Sequence, residues 1–427
     1  MFHWKTQAAE STGRPPRTTR VSTLFAAIAL CFSCTDRSEA PRDVAPPAGE
    51  SAGGQPAQAV EDPLGYFVDM AGGYVASAQQ SDGSWPYYRS ETTDFLTTEL
   101  QPGLLGTLTT LINLAHTSFE ASPAFDQGAE YVKSQMTERL TWSLGDPDPV
   151  SEESLVEPDA DATSVAMVAL SGRMPIEADA LEELRALFDR NRSPAGLYRT
   201  YFEGFYSEKG FVPAPNVPSL GVNLNVLGFF GKYGLERASL VAALRTAVQE
   251  DRYWEKSPVY RSLPLLAYLA SNAVEQGAPE AGEFLRKFIA DYAAEAGTDS
   301  SVAATLGTVN LAALIKARSH ACLLAQSACQ DLDLWVFELA KRRQADGSWP
   351  TAPFRETSVN EKALLAFFER RDFVADREGG GVRFDVERAL DSPDAILFYG
   401  GSPAETTTFA LKALTLYREL LQRRANF

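Results

Sequence analysis

Apolar residues recur every three or four positions along most of this chain, interrupted by short polar stretches. That period places them on one face of an α-helix. Leu181, Leu184, Leu187 and Phe188 show it, as do Phe284, Phe288, Ile289 and Tyr292. The pattern predicts helices over 62–79, 101–117, 125–138, 162–172, 178–190, 219–233, 236–250, 258–275, 280–295, 299–318, 330–343, 359–370 and 403–424. The two-residue alternation of strands is nearly absent. No Pro/Gly/Ser-rich linker divides 62–424. The expectation is one all-α domain of roughly a dozen helices.

Two of the polar breaks repeat each other. They read Gln79-Gln80-Ser81-Asp82-Gly83-Ser84-Trp85-Pro86 and Gln344-Ala345-Asp346-Gly347-Ser348-Trp349-Pro350. Glycine there accepts a positive φ and stops the preceding helix. Aspartate bonds nearby backbone groups. Tryptophan buries a large ring between helices, and proline keeps the old helix from resuming. Glutamine is expected to reach free N–H groups at the start of an adjacent helix. A third stretch, Gly196-Leu197-Tyr198, keeps only the glycine-x-aromatic part. The three glycines lie 113 and 151 residues apart. A helical pair takes roughly 50–60 residues here, so the gaps hold about two and three pairs. This predicts a single α/α toroid: about six helix pairs in a closed ring, the inner helices lining a central cavity. An open solenoid is the alternative.

Composition narrows the partners. The chain has 427 residues, 45% hydrophobic, and a formal net charge of −17. Such a charge argues against nucleic acid and against docking on anionic lipid by charge alone. Residues 1–34 read as an export segment. Lys5, Arg14, Arg17 and Arg20 precede a short apolar run from Val21 to Phe32, too short to span a bilayer. The run ends at Cys31-Phe32-Ser33-Cys34, which resembles a bacterial lipoprotein processing site with Cys34 as the lipidated residue. Residues 35–61 are rich in Pro, Ala, Gly and charge, the composition of a disordered tether. The expectation is an exported protein of a bacterial cell envelope, held by lipid in the periplasm or on an outer surface. A cleaved signal without lipid and a later translation start are the alternatives. Cys322 and Cys329 stand seven residues apart. They are either a disulfide closing a small loop or two buried small apolar residues.

At this point the residues reach a family. The repeated Asp-Gly-Ser-Trp segments resemble the QW repeats of squalene–hopene cyclases and related terpenoid cyclases, whose α/α toroid also occurs in protein prenyltransferase β subunits. Pro158-Asp159-Ala160-Asp161-Ala162-Thr163-Ser164-Val165-Ala166 resembles the DxDD-Thr-Ala motif of class II terpene cyclases. Val222-Asn223-Leu224-Asn225-Val226-Leu227 is similar to a Val-Asn-Ala-Asn-Val-Leu run of bacterial toroid proteins with poorly defined function. The chain has room for one toroid. The resemblance implies that Asp161 is the catalytic proton donor and Asp159 its support, acting on an apolar isoprenoid without cofactor. The chain departs from the motif at Ala162, where the family has a further Asp and some members Thr or Ser.

The residues themselves leave Asp159 and Asp161 a second role, since an aspartate just before a helix is a routine N-cap. Substrate-binding candidates are Trp254 and Tyr260, flanking Lys256-Ser257-Pro258 before a predicted inner helix, with Trp142, Asn223 and Asn225. Aromatic faces stabilise cations, so tryptophan and tyrosine suit a carbocation cavity. No metal set is expected: His116 and His320 cannot supply three histidines, and no zinc spacing is present. No nucleophile elbow or phosphate loop occurs. Three readings follow: a protonation-initiated terpenoid cyclase, a non-catalytic toroid lipoprotein holding an apolar ligand or partner, and a carbohydrate-active toroid.

Overall fold

The computed structural model describes residues 62–90, 98–101, 103–143, 157–205, 216–250, 253–254, 260, 262–297, 300–327, 329, 331–353, 355–359, 374–375, 382–383 and 396–424. Two compact units divide the chain, Met1–Pro63 and Leu64–Phe427. In the first, only Asp62 and Pro63 fall among the described residues, so Cys34 and the tether lie outside them.

The second unit alternates outer and inner helices. The outer ones are α1 (Pro63–Ser77), α3 (Pro123–Ser134), α5 (Ala178–Arg190), α7 (Ala238–Ala247), α9 (Ala281–Ala296) and α12 (Leu332–Lys341). The inner ones are α2 (Leu104–Leu114), α4 (Ala160–Ala169), α6 (Leu220–Lys232), α8 (Leu263–Glu275), α11 (Thr308–Leu324) and α13 (Pro403–Arg424). A short α10 (Ser300–Thr305) precedes α11. Inner helices pack in sequence: α2 on α4, α4 on α6, α6 on α8, α8 on α11, α11 on α13, and α13 back on α2. That last contact closes the ring of six pairs. Burial follows the sequence pattern. Helix α5 buries only Leu184, Leu187 and Phe188, one stripe of an otherwise charged helix. Helix α8 buries Leu263 through Ala273 without a break, as a helix does when neighbours cover it on all sides.

Each repeated turn follows an outer helix and leads toward the next inner one. Gly83 and Gly347 have φ of 90° and 91°. A Cβ on Gly83 would lie 2.5 Å from the Gln127 carbonyl oxygen of α3, and one on Gly347 2.7 Å from that of Met70 in α1. The second turn therefore seats the last outer helix against the first. Trp85 Nε1 donates to the Val75 carbonyl at 2.7 Å, and Trp349 Nε1 to that of Leu339 at 2.8 Å. Both rings are fully buried, which removes roughly 150–250 Å² each from water and is worth about 4–6 kcal/mol before entropy. Their backbone N–H groups donate to Thr107 and Thr407 on inner helices. Gln80 and Gln344, the equivalent glutamines, accept from the Ser84 and Ser348 hydroxyls. Gln79 donates to the carbonyls of Gly83 and Ala124. The expectation that a glutamine accepts from helix N–H groups is therefore corrected: the free groups near it are carbonyls.

Three other differences from the sequence pattern stand out. The predicted 299–318 segment breaks at Leu306 and Gly307 into α10 and α11. Predicted helix 359–370 begins on a strand residue, Val359, and otherwise lies outside the described residues. Short strands are present: β1 (Tyr87–Ser90), β2 (Glu99–Gln101), β3 (Arg355–Val359), β4 (Val374–Ala375), β5 (Val382–Arg383) and β6 (Ile396–Gly401). Four form an antiparallel sheet in the order β2-β1-β6-β3, and β4 pairs with β5. Strands β2, β4 and β5 have only two or three residues. Strands β1, β3 and β6 run in apolar or polar blocks rather than alternating, so neither set registers as a strand pattern.

Candidate functional site

Helix α4 begins at Ala160, so Asp159 and Asp161 fall on either side of its first residue. Asp159 is the N-cap, with extended φ and ψ of −120° and 152°. Its Oδ1 accepts from the Ala162 N–H at 2.6 Å. Asp161, one turn position further, points away from the cap and into the ring. It lines a central cavity with Leu105, Leu108, Ile112, Val165 and Leu269. Asp161 is 2% exposed. Its two oxygens have separate donors: Asn225 Nδ2 reaches Oδ1 at 2.7 Å, and Tyr260 Oη reaches Oδ2 at 2.8 Å. Asp159 thus takes the N-cap role that the sequence left open to both, while Asp161 lines the cavity.

The stretch around Asn225 explains itself one residue at a time. Gly221 lies against Tyr260, where a Cβ would come within 2.1 Å of the ring. Asn223 accepts from the Tyr198 N–H at 2.8 Å and donates to the Tyr198 and Ser219 carbonyls. Asn225, half a turn on, faces the cavity and holds Asp161. Alternate residues of one run therefore admit the tyrosine, pin a turn and orient the acid.

The proposed ligand contacts separate accordingly. Tyr260 and Asn225 are at the cavity, bonded to Asp161 rather than set apart from it. Trp142 is not at the cavity. Its ring is fully buried, and Nε1 donates to the Val132 carbonyl at 2.7 Å. Asn223 is also withdrawn, since a backbone turn takes up its amide. Trp254 stands edge-on to Tyr253 with ring centres 5.1 Å apart, in a groove between outer helices α7 and α9. Loop position alone could not tell an inward aromatic from an outward one. Cys322 and Cys329 form a disulfide, their Cα atoms 6.2 Å apart, joining the end of α11 to the start of α12.

Sequence reading missed the residues deeper in the cavity. Tyr268, Asn272 and Thr109 also line it. Tyr268 Oη donates to Asn113 Oδ1 at 2.7 Å. Beyond them lies a buried charge cluster. Glu275 sits 3.4 Å from Lys316 and 3.3 Å from Lys412. Burial alone would raise the Glu275 carboxyl, but the two ammonium groups hold it down at about 2. Burial pushes Lys316 down to about 7 against the pull of Glu275. Single polar residues on apolar helices gave no sign that they would meet. Among the described residues no group of three His, Cys, Asp or Glu is placed to hold a metal ion.

No protein-family model and no curated protein sequence matches the chain. Solved structures do. An apo structure of the type II terpene cyclase MstE from Scytonema is 15% identical, with a TM-score of 0.52, covering 84% of this chain and 99% of that one. A protein from Actinoplanes is 16% identical, with a TM-score of 0.51, covering 83% and 99%. The chain has the α/α-toroid fold of type II terpene cyclases. A variant of MstE with its product, merosterolic acid A, aligns at 12% identity and a TM-score of 0.50, over 84% of this chain and 97% of that one. At such identities the likeness is one of fold.

Proposed function

We propose that this toroid is a protonation-initiated terpenoid cyclase acting on an apolar isoprenoid, with Asp161 as the acid. One observation carries the reading: the Asp161 carboxyl is buried in an otherwise largely apolar cavity wall with a donor on each oxygen. In such a reaction the alkene π pair takes the Asp161 proton. A C–H bond forms, the O–H bond breaks, and a tertiary cation and a carboxylate result. Fixed donors aimed at the charge that develops lower the barrier to that step. Asn225 and Tyr260 are already placed to receive the carboxylate. The Tyr268 ring in the cavity wall offers the cation an aromatic face.

The fold of a structure solved with a terpenoid product supports this reading without deciding it. The other two readings find less support. A glycosidase needs two carboxyl groups flanking its bond, and among the described cavity-lining residues Asp161 is the carboxylate. A purely structural aspartate pair would put both side chains on helix N–H groups. Asp159 has that bond, whereas Asp161 is held by the Asn225 and Tyr260 side chains.

Asp161→Asn is the test, assayed with isoprenoids of increasing length alongside a melting curve. Product should vanish while the melting temperature stays within a few degrees of wild type. Unchanged turnover with a lowered melting temperature would reduce Asp161 to a structural residue. The lipid anchor belongs to the same proposal, because it would bring the cavity to hydrophobic substrates in a membrane. Among the described residues no helix is long and apolar enough to cross one. Cys34→Ala should move the protein from the membrane to the soluble fraction. A variant that stays with the membrane would exclude Cys34 as the anchor.

A further inference from the structure

The six inner helices are each separated by one outer helix, so they run the same way, and α2 lies across the ring from α8. Two side-chain contacts join those two opposed helices directly, and a third link runs through Lys412 of α13. Tyr268 Oη donates to Asn113 at 2.7 Å, and Asn113 Nδ2 donates on to Thr408 of α13 at 3.2 Å. Gln276 meets His116 at 3.4 Å. Between these two, Glu275 pairs with Lys412, whose Nζ donates to the Ala115 carbonyl at 2.6 Å. Lys316 completes the layer. It donates to Asn272, pairs with Glu275, and places its ammonium 4.6 Å from the Tyr268 ring centre.

This layer crosses the ring axis rather than lining it. Lys316 and Asn113 are 0% exposed and Tyr268 2%. Tyr268 and Asn272 are its upper surface, since both also line the Asp161 cavity. Asp161 is the second residue of α4 and Asn113 the tenth of α2. At 1.5 Å per residue, the drop from acid to layer is roughly 12 Å. The cavity above measures about 30 Å³, whereas ligand pockets run to about 300–1,000 Å³. Any ligand needs side chains to part. Apolar side chains can shift at modest cost, but separating buried paired charges leaves each one unpaired in a poorly solvating interior. On the α4 and α6 side a second cavity of about 20 Å³ shares Ile112, Val165, Asn225 and Asn272 with the first and reaches Gln276. Room is therefore gained on the Asp161 side or along α4 and α6, and not by parting the charged layer.

We infer that the Tyr268–Asn113 bridge, backed by Lys316, Glu275 and Lys412, is the floor of the substrate site on the side of α2, α8, α11 and α13, and that it favours short isoprenoid chains over chains as long as squalene. The inference rests on the proposed function of this cavity. Its test reads binding alone, so that turnover plays no part. Full-length protein is titrated with two saturated, unreactive probes in detergent, hexahydrofarnesol and squalane, by thermal shift and by calorimetry. Wild type should bind the short probe at least tenfold more tightly. Tyr268→Ala, which removes the bridge, should narrow that preference severalfold. Should Tyr268→Ala fail to fold, Asn113→Ala opens the same contact from the other wall and should act in the same direction. Equal binding of both probes by wild type would overturn the length preference and leave the isoprenoid reading standing. Binding of neither would overturn the isoprenoid reading, and the length preference with it. A folded bridge variant with the wild-type preference would remove the bridge as its cause.

Discussion

At the scale of single residues, Asp161 depends on neighbours that the sequence presented only as ligand contacts. Asn225 and Tyr260 hold the two carboxylate oxygens, and Gly221 makes space for the Tyr260 ring. In the proposed reaction, Tyr260→Phe removes one donor from the carboxylate that develops at Asp161. Loss of a comparable oxyanion donor costs about 2.7–4 kcal/mol, or 10²–10³ in rate. A drop in kcat of that order, with KM within a few fold, is expected from steady-state kinetics. Gly221→Ala should mimic it without touching a polar group, because the methyl displaces the ring. A Gly221→Ala enzyme of full activity would show that Tyr260 does not position the acid. Asp161 could be singled out from the sequence because its motif is local. Tyr260 is 99 residues from Asp161, and only the closed ring brings them together.

At the scale of elements, the repeated turn recurs once more than its letters do. Trp142 repeats Trp85 and Trp349 bond for bond. Its Nε1 donates to a carbonyl ten residues back, and its N–H to an inner-helix threonine, Thr163, at 3.1 Å. The turn before it carries Leu140 at φ 57° where the other copies have glycine at 90° and 91°. Nothing in Thr137-Glu138-Arg139-Leu140-Thr141 advertises this, because backbone geometry and one tryptophan are all that survive of the motif. Tyr198 occupies the same place in a fourth copy, its N–H bonded to Asn223 in place of threonine. A left-handed conformation costs a residue with a Cβ about 1–2 kcal/mol. Glycine returns part of that as greater unfolded-state entropy, about 0.5–1 kcal/mol. Leu140→Gly should therefore stabilise the toroid by up to about 1 kcal/mol, read as a small rise in urea midpoint at unchanged m. A fall in the midpoint would mean that packing of the Leu140 side chain outweighs the strain.

At the scale of the whole ring, architecture was legible and the interior was not. Repeats at long spacing imply closure, and α13 against α2 with Gly347 against Met70 supplies it. A lysine or glutamate on an apolar helix gives no sequence signal for where it ends, so the charge layer stayed hidden. That layer also makes the ring sensitive to pH. His320 lies beside it, its Nδ1 2.9 Å from Ser271 Oγ. Burial pushes His320 down to about 4; Glu275 pulls it up, while Lys316 and Lys412 push it further down. A folded-state pKa below the ordinary 6.5 means that the unfolded chain binds the extra proton first. Stability from this group is thus complete above pH 6.5 and is lost as pH falls toward 4. At 1.36 kcal/mol per unit the loss is on the order of 3 kcal/mol. Glu275, held at about 2 against an ordinary 4.5, adds a second loss below pH 4.5. Urea unfolding between pH 7 and 3 should show both limbs. In His320→Gln, which cannot take up the proton, the decline between pH 6.5 and 4.5 should shrink to the part due to His116, whose imidazole is also held below its ordinary value by burial and Lys412. A variant that loses as much stability as wild type over that range would place the acid sensitivity in some group other than His320.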